Sequence, residues 1–274
     1  MYSGTTLRNK SGGILGAHQK IDRVARRHVA PSIPSSVAFP TIRQILKFEG
    51  KNGPDGIKRK SPSRDEPWHY IDPTDHEDTA LLDIIDDHVA NLIAALAGDD
   101  EIRAAFEAAW LAHAIVDGLT PAHHYPLEEK IEELWGHHKD LRLTIREKNI
   151  IKGKNPRDTV SKNWQYWGAK GVFTTHFMFE FGVSSTIATH GLRAARPSGN
   201  ERIRVEHDGV RVLFVDAMHH VHHLKMYETF HKKGWTSALA RQTTEELVPT
   251  IIRTVTLAWY YAAVKAAERK ERRS

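Results

Sequence analysis

Residues 101–118 (EIRAAFEAAWLAHAIVDG) are apolar nearly all the way round a helix. Such a helix must be covered on every side, so it is the centre of a multi-helix domain. Gly98 closes the helix before it, and Asp99 or Asp100 supplies its N-cap. Into this apolar surface the sequence sets His113 and Asp117, four residues apart and therefore on one face. Burying an imidazole and a carboxylate there costs free energy unless they pair or hold a metal ion.

The rest of the chain predicts an all-α fold for one domain, residues 1–274. Apolar residues at helical spacing predict helices over 14–30, 42–48, 77–97, 126–148 and 163–195, and two more over about 215–232 and 240–270. Residues 50–76, rich in Pro, Gly, Asp and Lys, read as a long loop of the kind that carries function. Residues 149–162 read as a basic connection. One segment departs from the helical pattern. Ile203, Val205, Asp208-Gly209, Val210, Val212 and Phe214 suggest a type I′ turn, predicting a small β-hairpin insertion near 202–215.

The chain holds 18 histidines and no cysteine. That excludes a disulfide framework, an iron–sulfur cluster and thiolate zinc sites. Any metal site must be built from imidazole and carboxylate. The net charge, 39 − 34 = +5, is compatible with an anionic substrate without demonstrating one. No run reaches the roughly 18 apolar residues of a membrane span. The opening MYSGTTLRNKSGG has no apolar core of a secretory signal, so the expected location is cytoplasmic.

His123 follows Gly118 and Pro121, so HAIVDGLTPAH reads H-x3-D-x5-H. Three metal-competent side chains converge near one helix end. Spacing alone is weak: 18 × 34/274 gives roughly two chance H-x3-[D/E] pairs. The chain has four, starting at His18, His113, His124 and His176. His124–Glu128 reads as a surface pair and His18–Asp22 as an ordinary helix pair. His176–Glu180, in the aromatic VFTTHFMFEF, is either a satisfied buried pair or a metal site.

Together, PWHYIDP around His69, HAIVDGLTPAH and THFMFE resemble the zinc-dependent phospholipase C family, which includes the clostridial alpha-toxins. Asp55 in GPDG stands fourteen residues before His69, as in that family, and GAHQKI sets His18 like its histidine on the first helix. The likeness runs from His18 to Glu180. It implies an all-α phospholipase C/nuclease-like fold with a three-metal cleft. Position by position, it implies one Zn2+ on Asp55, His69, His113 and Asp117, and a second on His123, His176 and Glu180. A third would share Asp117 and use His18. The family completes that third site with the amino group and carbonyl of an N-terminal tryptophan, whereas here the first residue is Met1 and no tryptophan precedes Trp68. Members acting on choline lipids often carry an aromatic after the aspartate, where this chain has Gly56. The interval from His123 to His176 is longer than in many members and leaves His137 and His138 as competitors for the second site. The fungal three-zinc single-strand nucleases share the metal layout, but use H-x3-D at the last pair and carry disulfides. Glu180 and the lack of cysteine favour the phospholipase side.

The resulting expectation is a zinc-dependent phosphodiester hydrolase in which a metal-bound hydroxide attacks phosphorus in line. Asp55 or Asp117 would orient or deprotonate that water. The expected substrate is a phospholipid headgroup, with peripheral membrane contact, or alternatively single-stranded nucleic acid. A non-catalytic helical metal-binding module is the third reading. Lys51, Lys58, Arg59 and Lys60 border Asp55 and could steer an anion, though a solvated basic loop is the commoner meaning of such residues. His219, His220, His222 and His223 (MHHVHH) have ligand spacing but match no family residue. No G-x-S-x-G elbow, Gly-rich phosphate loop or dinucleotide fingerprint is present.

Overall fold

The computed structural model describes residues 1–2, 16–61, 70–192 and 195–273. These form helices and no strand: α1 (Ala17–Val29), α2 (Ile42–Ile45), α3 (Pro54–Lys60), α4 (Ala80–Ala97), α5 (Glu101–Gly118), α6 (Leu127–Trp135), α7 (Ile145–Asn149), α8 (Pro156–Trp167), α9 (Val172–Ile187), α10 (Gly199–His223), α11 (Met226–Lys233), α12 (Ser237–Gln242) and α13 (Val248–Glu271).

The apolar helix α5 is central. It packs on α4, α1, α2 and α13, and α13 in turn packs on α1, α4 and α10. Small side chains let these helices come close: Ala108, Ala109 and Ala112 on α5 are fully buried, as are Ala258, Ala262 and Ala263 on α13. The buried Trp259 is satisfied because its Nε1 donates to the Ala108 carbonyl at 2.9 Å. By length and composition alone, the stretch Ser237–Glu271 could cross a membrane, but 78% of its apolar window is buried within the molecule. A second, smaller apolar cluster of Leu127, Ile131, Ile151 and Tyr166 holds together the region of α6 to α8.

The expected β-hairpin near 202–215 is not there. Asp208-Gly209 does mark a special backbone, since Gly209 has φ 83° and ψ 172°, but helix continues on both sides of it as the kinked α10. The Ser198–Glu201 capping box starts the helix. Val205, Val210, Phe214, Ala217, Met218 and Val221 then face the core. The residues 50–76 are not all loop, because Pro54 at the first turn, Asp55 behind it and Lys58, Arg59 and Lys60 in the last turn make α3. The helix expected over 126–148 ends at Gly136, whose φ of 83° closes α6. The basic connection turns helical at Pro156, where Asn155 caps α8.

Candidate metal centre

The C-terminal end of α5 carries the site. Asp100 caps its start, accepting from Arg103 N at 2.9 Å. After Gly118 the chain turns sharply, with Thr120 N donating to the Asp117 carbonyl at 2.8 Å and His123 N to the Thr120 carbonyl at 2.8 Å. This turn swings His123 back towards the end of α5. Ile71 N donates to the His123 carbonyl at 3.2 Å, which lays Tyr70 over the His123 ring, centroids 5.0 Å apart.

Two metal-competent groups result. His18 from α1, Asp55 from α3 and His113 from α5 each offer a ligand atom, all within 4.8 Å of one another; so do His123 with His176 and Glu180 from α9. The rings of His18 and His113 stack with centroids 4.1 Å apart. Asp117 touches the first group twice, at 3.2 Å from His18 Nε2 and 3.2 Å from His113 Nε2. In the second group, Glu180 Oε1 lies 2.9 Å from His123 Nε2 and 3.0 Å from His176 Nε2. The Met1 ammonium stands between the groups, bonded to Asp117 and 3.2 Å from Glu180 Oε1.

The likeness to the phospholipases divides these residues differently. It sets His18 apart in a third site, whereas the structure groups it with Asp55 and His113. His69 lies outside the described residues. His137 and His138 are exposed and take no part, and His219, His220, His222 and His223 lie at the end of α10, outside both groups. Of the four lysines and arginines bordering Asp55, Lys58 and Arg59 reach the cavity above the site.

Burial and neighbouring charges set the ionisation of these groups. Burial alone would raise the Asp117 carboxyl, but the Met1 ammonium, His123, His113 and His18 hold it well below the usual range. Glu180 behaves likewise: burial is overcome by the Met1 ammonium, His176 and the hydrogen bonds of both histidines. Burial also works against Asp55, yet His113, His18 and the Met1 ammonium outweigh it together with Asp117, so its pKa is lowered. Burial drives His123 down to about 3, leaving a neutral imidazole able to act as a ligand. The Met1 ammonium is disfavoured by burial but held by Asp117, Glu180 and Asp55, rising to about 10.

The donor set fits a zinc-like ion. It is imidazole nitrogen and carboxylate oxygen throughout, the set that zinc accepts. His18 is buried; its Nδ1 makes no hydrogen bond, and its Nε2 has the Asp117 carboxylate at 3.2 Å but not in hydrogen-bond geometry, an arrangement that is costly for the unsatisfied nitrogen. The ionised carboxylates already draw one buried cation, the Met1 ammonium, between them.

Three contributors lie outside the ligand set expected from the sequence. Glu49, buried after the short turn Leu46–Phe48, lies 3.0 Å from His113 Nδ1, the carboxylate support that metal-binding histidines commonly have. Tyr70 covers His123 and His176. Asp22 is buried, and burial together with Glu49 lifts its carboxyl well above the usual range. The sequence marks Asp22 only as a helix neighbour of His18 and Tyr70 only as part of PWHYIDP, and nothing but the general need of a ligating histidine for an outer partner points to Glu49.

Both groups open into a cavity of about 330 Å³. Lys58, Arg59 and Lys148 give it a cationic wall, and Tyr166, Trp167, Phe173 and Phe177 an aromatic one. The wall is braced by Lys148 Nζ, which donates to the Lys58 carbonyl. No protein-family model, no curated protein and no solved structure matches this chain.

Proposed function

We propose that this protein is a metal-dependent phosphodiester hydrolase of phospholipase C type. The observation that carries the reading is the pair of buried histidine–carboxylate groups beside Asp117 at the base of a cationic cavity. His18, Asp55, His113 and Asp117 would hold zinc on one side, and His123, His176 and Glu180 on the other. Bound there, zinc supplies positive charge to a phosphate and acidifies water.

The chain's own groups supply the rest. Asp55, kept ionised, would accept the proton of the water that attacks phosphorus as the opposite P–O ester bond breaks, the leaving alkoxide taking its proton from solvent. Lys58, Arg59 and Lys148 hold the phosphate oxygens. The aromatic wall displaces water and strengthens each of these interactions. Beside Asp55 there is no room for a choline-binding aromatic, because a Cβ on Gly56 would lie 2.0 Å from the Lys51 carbonyl oxygen. The cationic wall also repels a quaternary ammonium, so the reading favours a diester with a neutral or anionic second group.

The test pairs metal analysis of untagged protein with hydrolysis of bis-p-nitrophenyl phosphate. Asp117→Asn should lower both metal content and kcat/KM, the latter by at least about 100-fold. Full activity in that variant would refute the reading. The aromatic wall also suits a stacked base, so single-stranded DNA and RNA form the second arm of the assay beside phospholipid vesicles.

A further inference from the structure

Eleven large apolar side chains are exposed among the described residues, and eight of them fall within residues 141–178. Four surround α7, including Ile145 and Ile150; Val160, Trp164 and Trp167 lie on α8; Met178 is on α9. Val160, Trp164 and Trp167 are spaced i, i+4, i+7, so they form one stripe along α8. They are 70%, 71% and 44% exposed. The inward side of this region already has its own apolar cluster with Leu127, Ile131, Ile151 and Tyr166, so the outward stripe is not needed to close a core. Exposed apolar surface concentrated in this way marks an interaction site.

The charge of the same segment is equally uneven. Residues 141–178 hold eight basic and two acidic side chains, 8 − 2 = +6, so the rest of the +5 chain sums to −1. Arg142 is buried against Glu128 at 2.8 Å and does not contribute to the surface. Glu147 and Asp158 are engaged at the caps of α7 and α8. The segment also borders the cavity: Trp167, Lys148 and Asn149 line it. Trp167 Nε1 donates to the Asn149 carbonyl at 2.9 Å, which ties the end of the stripe to the end of α7.

We propose that α7, α8 and the chain between them are a docking surface for an anionic phospholipid bilayer, which brings the cavity mouth against the headgroups. Aliphatic side chains outnumber the two tryptophans among the eight. Single-stranded nucleic acid calls for aromatic faces, whereas aliphatic and tryptophan side chains rimmed by lysine and arginine suit the boundary between headgroups and acyl chains. The inference rests on the phosphodiesterase reading only for what the docked cavity cleaves.

The test is co-sedimentation of the full chain with vesicles of phosphatidylcholine mixed with phosphatidylglycerol, against phosphatidylcholine alone, at low and high salt. The protein should sediment with the anionic vesicles, and less so in salt. The double variant Val160→Ser, Trp164→Ser alters two exposed positions outside the cavity. It should weaken partitioning by at least about tenfold while leaving thermal stability and bis-p-nitrophenyl phosphate hydrolysis unchanged. Wild-type protein that stays in solution with both vesicle types overturns the proposal. So does a double variant that sediments like wild type, or a surface that retains single-stranded oligonucleotides but no vesicles. Vesicle binding by a protein with no diesterase activity sustains the docking surface and defeats the hydrolase reading alone.

Discussion

His113 is held from both ring nitrogens: Glu49 lies 3.0 Å from Nδ1, while Asp117 at 3.2 Å and Asp55 at 3.9 Å lie by Nε2. Burial would lower its pKa, but Glu49 and Asp117 raise it well above the ordinary value. With the ring turned by Glu49, Nε2 is presented to the site. Glu49→Gln keeps the shape and removes the charge that orients and enriches the imidazole. It should weaken zinc binding by about 10–100-fold, read by competition with a chromophoric chelator, with circular dichroism unchanged. An unchanged zinc affinity would show that Glu49 does not serve the ligand. At this scale the sequence is informative where a polar residue breaks an apolar helix, as His113 and Asp117 do. It is silent on Glu49, which lies 64 residues from His113 and meets it only through tertiary packing. The order His18, Asp55, His113, Asp117, His123, His176, Glu180 carries the likeness to a family, but which residues share a group depends on how α1 and α3 close over α5.

Helix α10 shows why a turn signal is not a hairpin. Asp-Gly requires a backbone that only glycine readily adopts, and Gly209 takes it, at φ 83° and ψ 172°. Burial decides the path of the chain beyond that glycine: Val210, Phe214, Ala217 and Val221 pack inward at helical spacing, so helix resumes after the kink. Before the kink, Ile203 and Val205 are two apart and so suggest a strand; in the structure Val205 is buried and Ile203 is 68% exposed. No atom lies within 4 Å of a Cβ built on Gly209. Gly209→Ala therefore isolates backbone strain from crowding and should cost about 1–3 kcal/mol, read from the urea midpoint at constant slope. Equal midpoints would mean that the kink relaxes without cost. Gly118 is the contrasting case. A Cβ there would lie 2.6 Å from both Leu81 Cδ2 and Phe214 Cζ, so that glycine is fixed by the approach of α4 and α10 to the end of α5.

Across the whole molecule, the site concentrates negative charge within the helices that form the core. Asp117 and Glu180 are held well below their ordinary values of 3.8 and 4.5, burial being outweighed by the Met1 ammonium and the neighbouring histidines. A lower pKa in the folded state means that the unfolded chain takes up more protons as pH falls through that range. The stability these groups contribute is complete above about pH 4.5 and declines progressively below it. Asp22 acts oppositely. Burial raises its folded pKa well above 3.8, so its contribution declines as pH rises through and beyond that value, and the acid limb measures the difference. Zinc bound as proposed would add to the same limb, because its ligands must be deprotonated. At neutral pH, removing zinc with EDTA should lower Tm; a free-metal level about 100 times Kd corresponds to about 2.7 kcal/mol of stabilisation. The separation between loaded and chelated protein should narrow as pH drops and the ligating imidazoles, then the carboxylates, take up protons. Scanning calorimetry across that range, with and without EDTA, reads both effects. Identical Tm values at neutral pH would leave the buried carboxylates stabilised by the histidines and the Met1 ammonium alone. A separation that persists unchanged into acid would place the metal on groups other than Asp117 and Glu180.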